Sequence, residues 1–315
     1  MFLFQELISG NLIILYAVAS AGLLLVSAIV LTFMGRVLKK NVASMWNIVK
    51  GWLIMLPPVF LVMALGRVAI IAGVCLLSVY GFREFSRATG LSSSRAINII
   101  VYAGILVVAL SALLPDPRTG LIGWYGFFMA LPSFMVGLIL IVPVIQNRYE
   151  GQLQPVALGI LGFIYFGWMF GHISQLANSA YAINYILFLV FAVQLNDVAA
   201  YNFGKVFGRH KLRDKISPNK TVEGAFGALG LSMLAPWVMS FSLPLFGTPQ
   251  LVLAGLIVGI GGQLGDLTIS FIKRDAGIKD MGTAIPGHGG ILDRIDSLVF
   301  VASLFFHMTR YFHAL

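Results

Sequence analysis

The 315-residue chain is 59% hydrophobic and 10% charged, with a formal net charge of +9. A soluble globular chain is about 45–50% apolar and about a quarter charged, so this composition excludes a soluble domain and a disordered one. Most of the chain must be dissolved in lipid, and its basic surplus belongs at a membrane face beside membrane lipids; no nucleic-acid module is expected.

A bilayer supplies no water to backbone polar groups, so spanning segments are helices or a closed barrel. The apolar runs here are continuous rather than alternating, which selects helices and an all-α polytopic membrane protein. In chain order the runs lie at 11–34, 51–65, 68–82, 97–114, 121–145, 155–171, 182–203, 224–243, 250–272 and 295–312. The second and third fall short of the roughly 20 residues a span needs, and Pro57-Pro58 interrupts the second. Merged as one kinked span, they would leave nine crossings. Charge favours ten: alternate loops then collect every Lys and Arg except Arg67, Arg118 and Arg310, and loops rich in Lys and Arg stay cytoplasmic. Merging would put Lys39 and Lys40 outside. The expectation is therefore ten spans in the cell (inner) membrane, with both termini outside. No basic residue precedes the first apolar run, so a cleaved secretory signal is not expected. The single cysteine, Cys75, rules out an internal disulfide.

Two loops on the basic side differ from the rest: NDVAAYNFGKVFGRHKLRDKISPNKTVEG (196–224) and QLGDLTISFIKRDAGIKDMGTAIPGHGGILDRIDS (263–297). They hold eight of the twelve acidic residues. Asp197 and Asp266 sit near the basic-side ends of apolar runs. Asp293 and Asp296, three apart, share a face at the start of the last one. Carboxylates at that depth are costly unless they face the bundle interior with a partner, and several together repel unless a cation lies between them. Hard divalent ions take oxygen ligands and leave room for substrate phosphates. Asp266, Asp293 and Asp296 are thus candidate Mg²⁺ ligands, and the absence of any zinc-type spacing argues against a softer metal. The bland alternative, pairing with a neighbouring Lys or Arg, is strongest for Asp293 beside Arg294. It is the default for Asp275 and Asp280, which interleave with Arg274 and Lys279.

The basic residues supply the complementary half. Lys273 shares a helical stripe with Asp266 and Ser270, and Arg274 follows it. Lys205 and Lys220 lie among glycines, and Ser217-Pro218-Asn219-Lys220-Thr221 reads as a turn suited to phosphate. Part of this basic loop is explained by the topology signal alone. Gly287, Gly289 and Gly290 bracket His288 before a helix start, where a turn can offer amides to an anion; a plain tight turn fits as well. Gly255, Gly259, Gly261, Gly262 and Gly265 are read as close helix packing only. His172, His210, His307 and His313 fit no ligand spacing.

The run from Ser270 to Ser297, S-F-I-K-R-x4-K-D-x-G-x2-I-P-G-H-G-G-I-x-D-R-I-D-S, resembles the signature of phosphatidate cytidylyltransferases, the CDP-diacylglycerol synthases. D-V-A-A-Y-N-F-G-K-V-F-G and S-P-N-K-T-V-E-G are similar to a second region of that family. The resemblance covers about residues 190–315; before about residue 180 the chain agrees only in being helical and apolar. It implies one membrane domain, in which 1–180 supplies N-terminal spans and 181–315 the catalytic region with its loops. It further implies transfer of CMP from CTP to phosphatidate, yielding CDP-diacylglycerol and pyrophosphate. Asp266, Asp293 and Asp296 would form the metal centre with Mg²⁺, with K⁺ as a second cation. Lys273 would join them in catalysis, and Lys205, Ser217, Lys220, Thr221, Arg274, His288, Gly289, Arg294 and Asp197 would contact nucleotide or lipid phosphate. A CTP-dependent polyprenol or phytol kinase is the alternative within lipid chemistry, and it would release CDP. A cation-coupled transporter is a further one, though it predicts acids at mid-span rather than at the ends. Composition does not choose between a monomer and a homodimer.

Overall fold

The computed structural model describes residues 2–39, 41–282 and 289–313. Ten long helices follow one another: α1 Phe2–Arg36, α2 Ala43–Ala64, α3 Arg67–Ala88, α4 Arg95–Leu113, α5 Tyr125–Ile145, α6 Leu153–Leu176, α7 Ala182–Phe207, α8 Val222–Val238, α9 Thr248–Asp275 and α10 Leu292–Phe312. Each takes up one of the ten apolar runs, so the fold is all-α and polytopic. Eight of the ten are long and apolar enough to cross a membrane; α8 is shorter, and α10 is diluted by Asp293, Arg294 and Asp296. The two short runs are separate 22-residue helices, not one kinked span. Proline removes an amide donor, yet α2 continues through Pro57-Pro58, since a bilayer offers no water to an opened turn.

One element was not expected. The basic loop between α7 and α8 folds into an antiparallel hairpin, β1 Lys211–Arg213 and β2 Ser217–Thr221, with Lys211 opposite Thr221 and Arg213 opposite Ser217. Helical periodicity could not reveal it, because each strand is shorter than any pattern window.

Burial separates a periphery from a core. Only 11% of the most apolar stretch of α1 is buried within the protein, against 61% for α6 and 56% for α7. Around α6 the rings of Phe82, Phe85 and Phe166 pack together, and Tyr185 and Phe188 from α7 meet Phe305 of α10. The glycine face of α9 packs as its spacing predicts. A Cβ at Gly255 would stand 2.9 Å from the Met233 backbone of α8, and one at Gly265 would stand 2.8 Å from Ser297 Cα of α10. Two π-helical stretches, Phe163–Met169 within α6 and Ile257–Gly261 within α9, widen the ladder just where these helices approach α10. Such stretches are frequent at functional sites.

Candidate active site

The close approach at Gly265 sets the site. Because α9 touches α10 at the Asp296–Ser297 peptide, the next residue of α9, Asp266, is carried toward Asp296. Ser297 Oγ donates to Asp197 Oδ1 of α7 at 3.4 Å, and Asp296 Oδ1 accepts the Ser297 amide at 2.7 Å. Asp197, Asp266 and Asp296 thus come from three helices, and each lies within the field of the other two. Asp296 is only 7% exposed. From α6, Tyr165 donates its hydroxyl to the Asp296 carbonyl at 2.9 Å, fixing the first turn of α10 from the core side.

Cations stand at the edge of this group. Lys220, on the hairpin, donates to Asp266 Oδ2 at 2.6 Å, while Ser270 Oγ donates to Asp266 Oδ1 at 3.2 Å. Arg294 has a buried Nε with no hydrogen-bond partner, and its charge reaches Asp197. Lys273 donates to Asp293 Oδ1 at 2.9 Å, and both side chains are largely buried. Asp293 Oδ2 accepts the amides of Met281 and Gly290 at 3.1 and 3.0 Å. Of the three acids grouped from sequence, the structure brings Asp266 and Asp296 together and adds Asp197. Asp293 turns back on Lys273 and the glycine turn.

The remaining expected residues fall into two sets. Lys205 is exposed at the end of α7, 5.8 Å above the Tyr201 ring. Ser217 opens β2, and exposed Arg274 donates to the Ile216 and Ile278 carbonyls, tying the hairpin to the segment after α9. Thr221 is buried as the N-cap of α8, where its Oγ1 accepts the Gly224 amide at 3.1 Å. That hydroxyl oxygen is engaged in capping rather than turned outward. Asp275 and Asp280 are exposed, as a solvated charged face requires. Gly287 and His288 lie outside the described residues. Gly289 has φ +80°, a conformation that favours glycine. The amides beyond it do not face outward as an anion cradle. Gly290 N is taken by Asp293, and the Ile291 and Leu292 amides donate to Glu84 of α3 at 3.1 and 2.8 Å. Sequence reasoning missed Glu84 altogether; its signal was an acid at the end of an apolar run, hidden between Arg83 and Arg87.

Among the described residues, no three His, Cys, Asp or Glu side chains stand close enough to hold a metal ion by themselves. Mg²⁺ does not require that, since one or two carboxylates plus substrate phosphates usually suffice. Asp266 and Asp296 fit that description: all-oxygen donors, the first partly exposed and the second buried, with a third carboxylate beside them.

Comparison with known proteins gives a family. A model of the cytidylyltransferase family matches residues 46–312. The phosphatidate cytidylyltransferase of Staphylococcus saprophyticus is 36% identical over 210 residues, which is 65% of this chain and 76% of that protein. That of Staphylococcus haemolyticus is 41% identical over 160 residues, 50% of this chain and 60% of that protein. An uncharacterized Escherichia coli protein, YnbB, is 48% identical over 126 residues, 40% of this chain and 42% of that one. The matches to the latter two thus span about half the length of each relative.

Proposed function

This chain belongs to the cytidylyltransferase family, and from that premise we propose that it transfers CMP from CTP to phosphatidate or a similar lipid phosphate. Two relatives named phosphatidate cytidylyltransferase support the acceptor. The observation that carries the reading is the convergence of Asp197, Asp266 and Asp296 at the end of the bundle where Lys220, Lys273 and Arg294 also gather. Those residues line the basic side, so the site faces the cytoplasm of the cell (inner) membrane in this reading.

The reaction needs two phosphates, both anionic, held in line. An oxygen of the lipid phosphate bonds to the α-phosphorus of CTP, the bond from that phosphorus to the β-phosphate oxygen breaks, and pyrophosphate leaves. The acceptor is already ionised, so no strong general base is required, and positioning with electrostatic stabilisation dominates. Lys220 and Lys273 pair with carboxylates here and are placed to shift toward phosphate oxygens. Arg294, partly buried and with a buried Nε that has no hydrogen-bond partner, suits bidentate phosphate contact. Asp266 and Asp296 would hold Mg²⁺, which when bound offsets phosphate charge; K⁺ as a second cation would neighbour them.

The test is purified protein with labelled CTP and a panel of lipid phosphates and lipid alcohols. Pyrophosphate release with a labelled lipid product from phosphatidate is expected. CDP release with phosphorylation of a polyprenol or phytol would overturn the proposal.

A further inference from the structure

We propose that Glu84 is a positioning residue for this site: a carboxylate from the N-terminal half that clamps the first turn of α10 and so sets where Asp296 stands. The kinetic part of this inference rests on the function proposed above; the structural part does not.

The first amides of a helix have no partner within it, and a Ser, Thr, Asp or Asn at the N-cap usually supplies one. The N-cap of α10 is Ile291, which has no side-chain acceptor and makes no capping bond. Glu84 fills that place from 207 residues away: Oε1 accepts the Ile291 amide at 3.1 Å and Oε2 the Leu292 amide at 2.8 Å. One carboxylate thus receives two charge-assisted bonds and sits at the positive end of the helix dipole.

The glycines of the turn fit around it. A Cβ at Gly290 would lie 2.6 Å from Glu84 Oε2, and one at Gly282 would collide with Oε1. Residues 282 and 290 therefore close on the carboxylate from both flanks of the connection to α10. Asp293 completes the turn by accepting Gly290 N and Met281 N while paired to Lys273. The consequence reaches the acids, since Asp296 is one turn beyond Leu292 on the same helix. Moving the first turn moves its carboxylate against Asp266 and Asp197, and a small displacement of a positioned group has large kinetic effects. Glu84 touches no reacting atom in this account; it acts through α10.

The experiment compares wild type, Glu84→Ala, Glu84→Gln and Gly290→Ala, each as the full chain in detergent or nanodiscs. Hydrogen exchange is followed over 289–297, with α6 and α7 as internal references, and CMP transfer is measured in parallel. Glu84→Ala should speed exchange over 289–297 by about tenfold or more, leaving α6 and α7 unchanged. Its kcat should fall by about tenfold or more while KM for CTP holds. Glu84→Gln keeps one acceptor and should lie between, and Gly290→Ala should reproduce the local exchange. Unchanged exchange over 289–297 in Glu84→Ala would overturn the inference. So would faster exchange throughout the bundle, which marks a merely structural role. If wild type transfers no CMP, the proposed function fails, and the exchange arm still decides the clamp.

Discussion

At the end of the bundle where α3 begins and α10 finishes, Arg67 donates to Asn178 Oδ1 at 2.6 Å and to the carbonyls of Ala112 and Leu113. Nearby His172 and His307 share a hydrogen bond at 3.0 Å, and Arg310 stacks on Tyr125 at 3.7 Å. At the other end three carboxylates crowd together, two lysines pair at their margin, and Arg294 keeps a buried nitrogen without a hydrogen-bond partner. The first end closes its charges on carbonyls, amides and rings. The second brings three carboxylates into one another's field, with Lys220, Lys273 and Arg294 at their margin, and like charges gathered in a bundle are costly unless they are paired. Polar residues at the first end hold helices together; those at the second are the ones the proposed function would use.

The sharpest way to break that contrast is Asp296→Asn. Turnover should fall by about 10³-fold or more. The melting temperature should stay level or rise, because one of three mutually repelling carboxylates has become neutral. Near-normal turnover, or a large loss of stability, would place Asp296 with the structural polar groups instead. Lys273→Met should fall between the two classes. It costs turnover by about 10²-fold, and it also strips a 7%-exposed Asp293 of its counter-ion, which destabilises by about 3–5 kcal/mol. Paired kinetics and thermal unfolding separate the two effects.

Much of this organisation was legible in the sequence, for identifiable reasons. Each of the ten helices has its own apolar run, and alternation of Lys and Arg between loops separated the two short helices that length alone would have merged. Asp266 and Asp296 could be chosen because a buried carboxylate is costly anywhere in lipid. Helical spacing fixes a face, not a rotamer, so it did not show that Asp293 pairs with Lys273 while Asp197 stands beside Asp266 and Asp296. Asp293 lies in the first turn of α10, where a side chain can reach back to amides, and it does so. Glu84 was illegible because its partners stand 207 and 208 residues away and no local pattern encodes a cap supplied by another helix. The His172–His307 pair was missed likewise: two isolated histidines on apolar faces carry no sign that they meet.

Arg67→Met tests the opposite end. It leaves the Leu113 carbonyl and the Asn178 side-chain oxygen short of a donor, while the Ala112 carbonyl keeps Asn178 Nδ2 at 3.2 Å, a loss of about 2 kcal/mol or more. Thermal unfolding in nanodiscs should therefore come several degrees lower. Turnover per folded molecule should be unchanged, because the site lies at the far ends of the same helices. A fall in kcat without a fall in stability would show that the two ends are coupled, and the contrast drawn above would fail.

The smallest effect belongs to Glu223, just before the apolar run of α8. The Arg209 amide donates to its carboxylate at 3.1 Å, and His210 adds its amide and a ring nitrogen, the latter at 2.6 Å. Those bonds, the Arg209 amide foremost, lower its pKa from 4.5 to about 2. A carboxyl depressed in the folded state stabilises fully above its unfolded pKa, and that contribution is lost as pH falls through the folded one. Glu223→Gln has no ionised form to favour. Amide exchange at Arg209 and His210 should then be faster in the variant than in wild type above pH 4.5, and the ratio should shrink toward unity as pH approaches 2. Turnover should not change, since the bond fastens the base of the hairpin while Lys220 at its other strand reaches Asp266 independently. A ratio constant across that window would mean that the carboxylate's charge does nothing for the hairpin. The basic loop would then be held by Arg274 and the strand pairing alone.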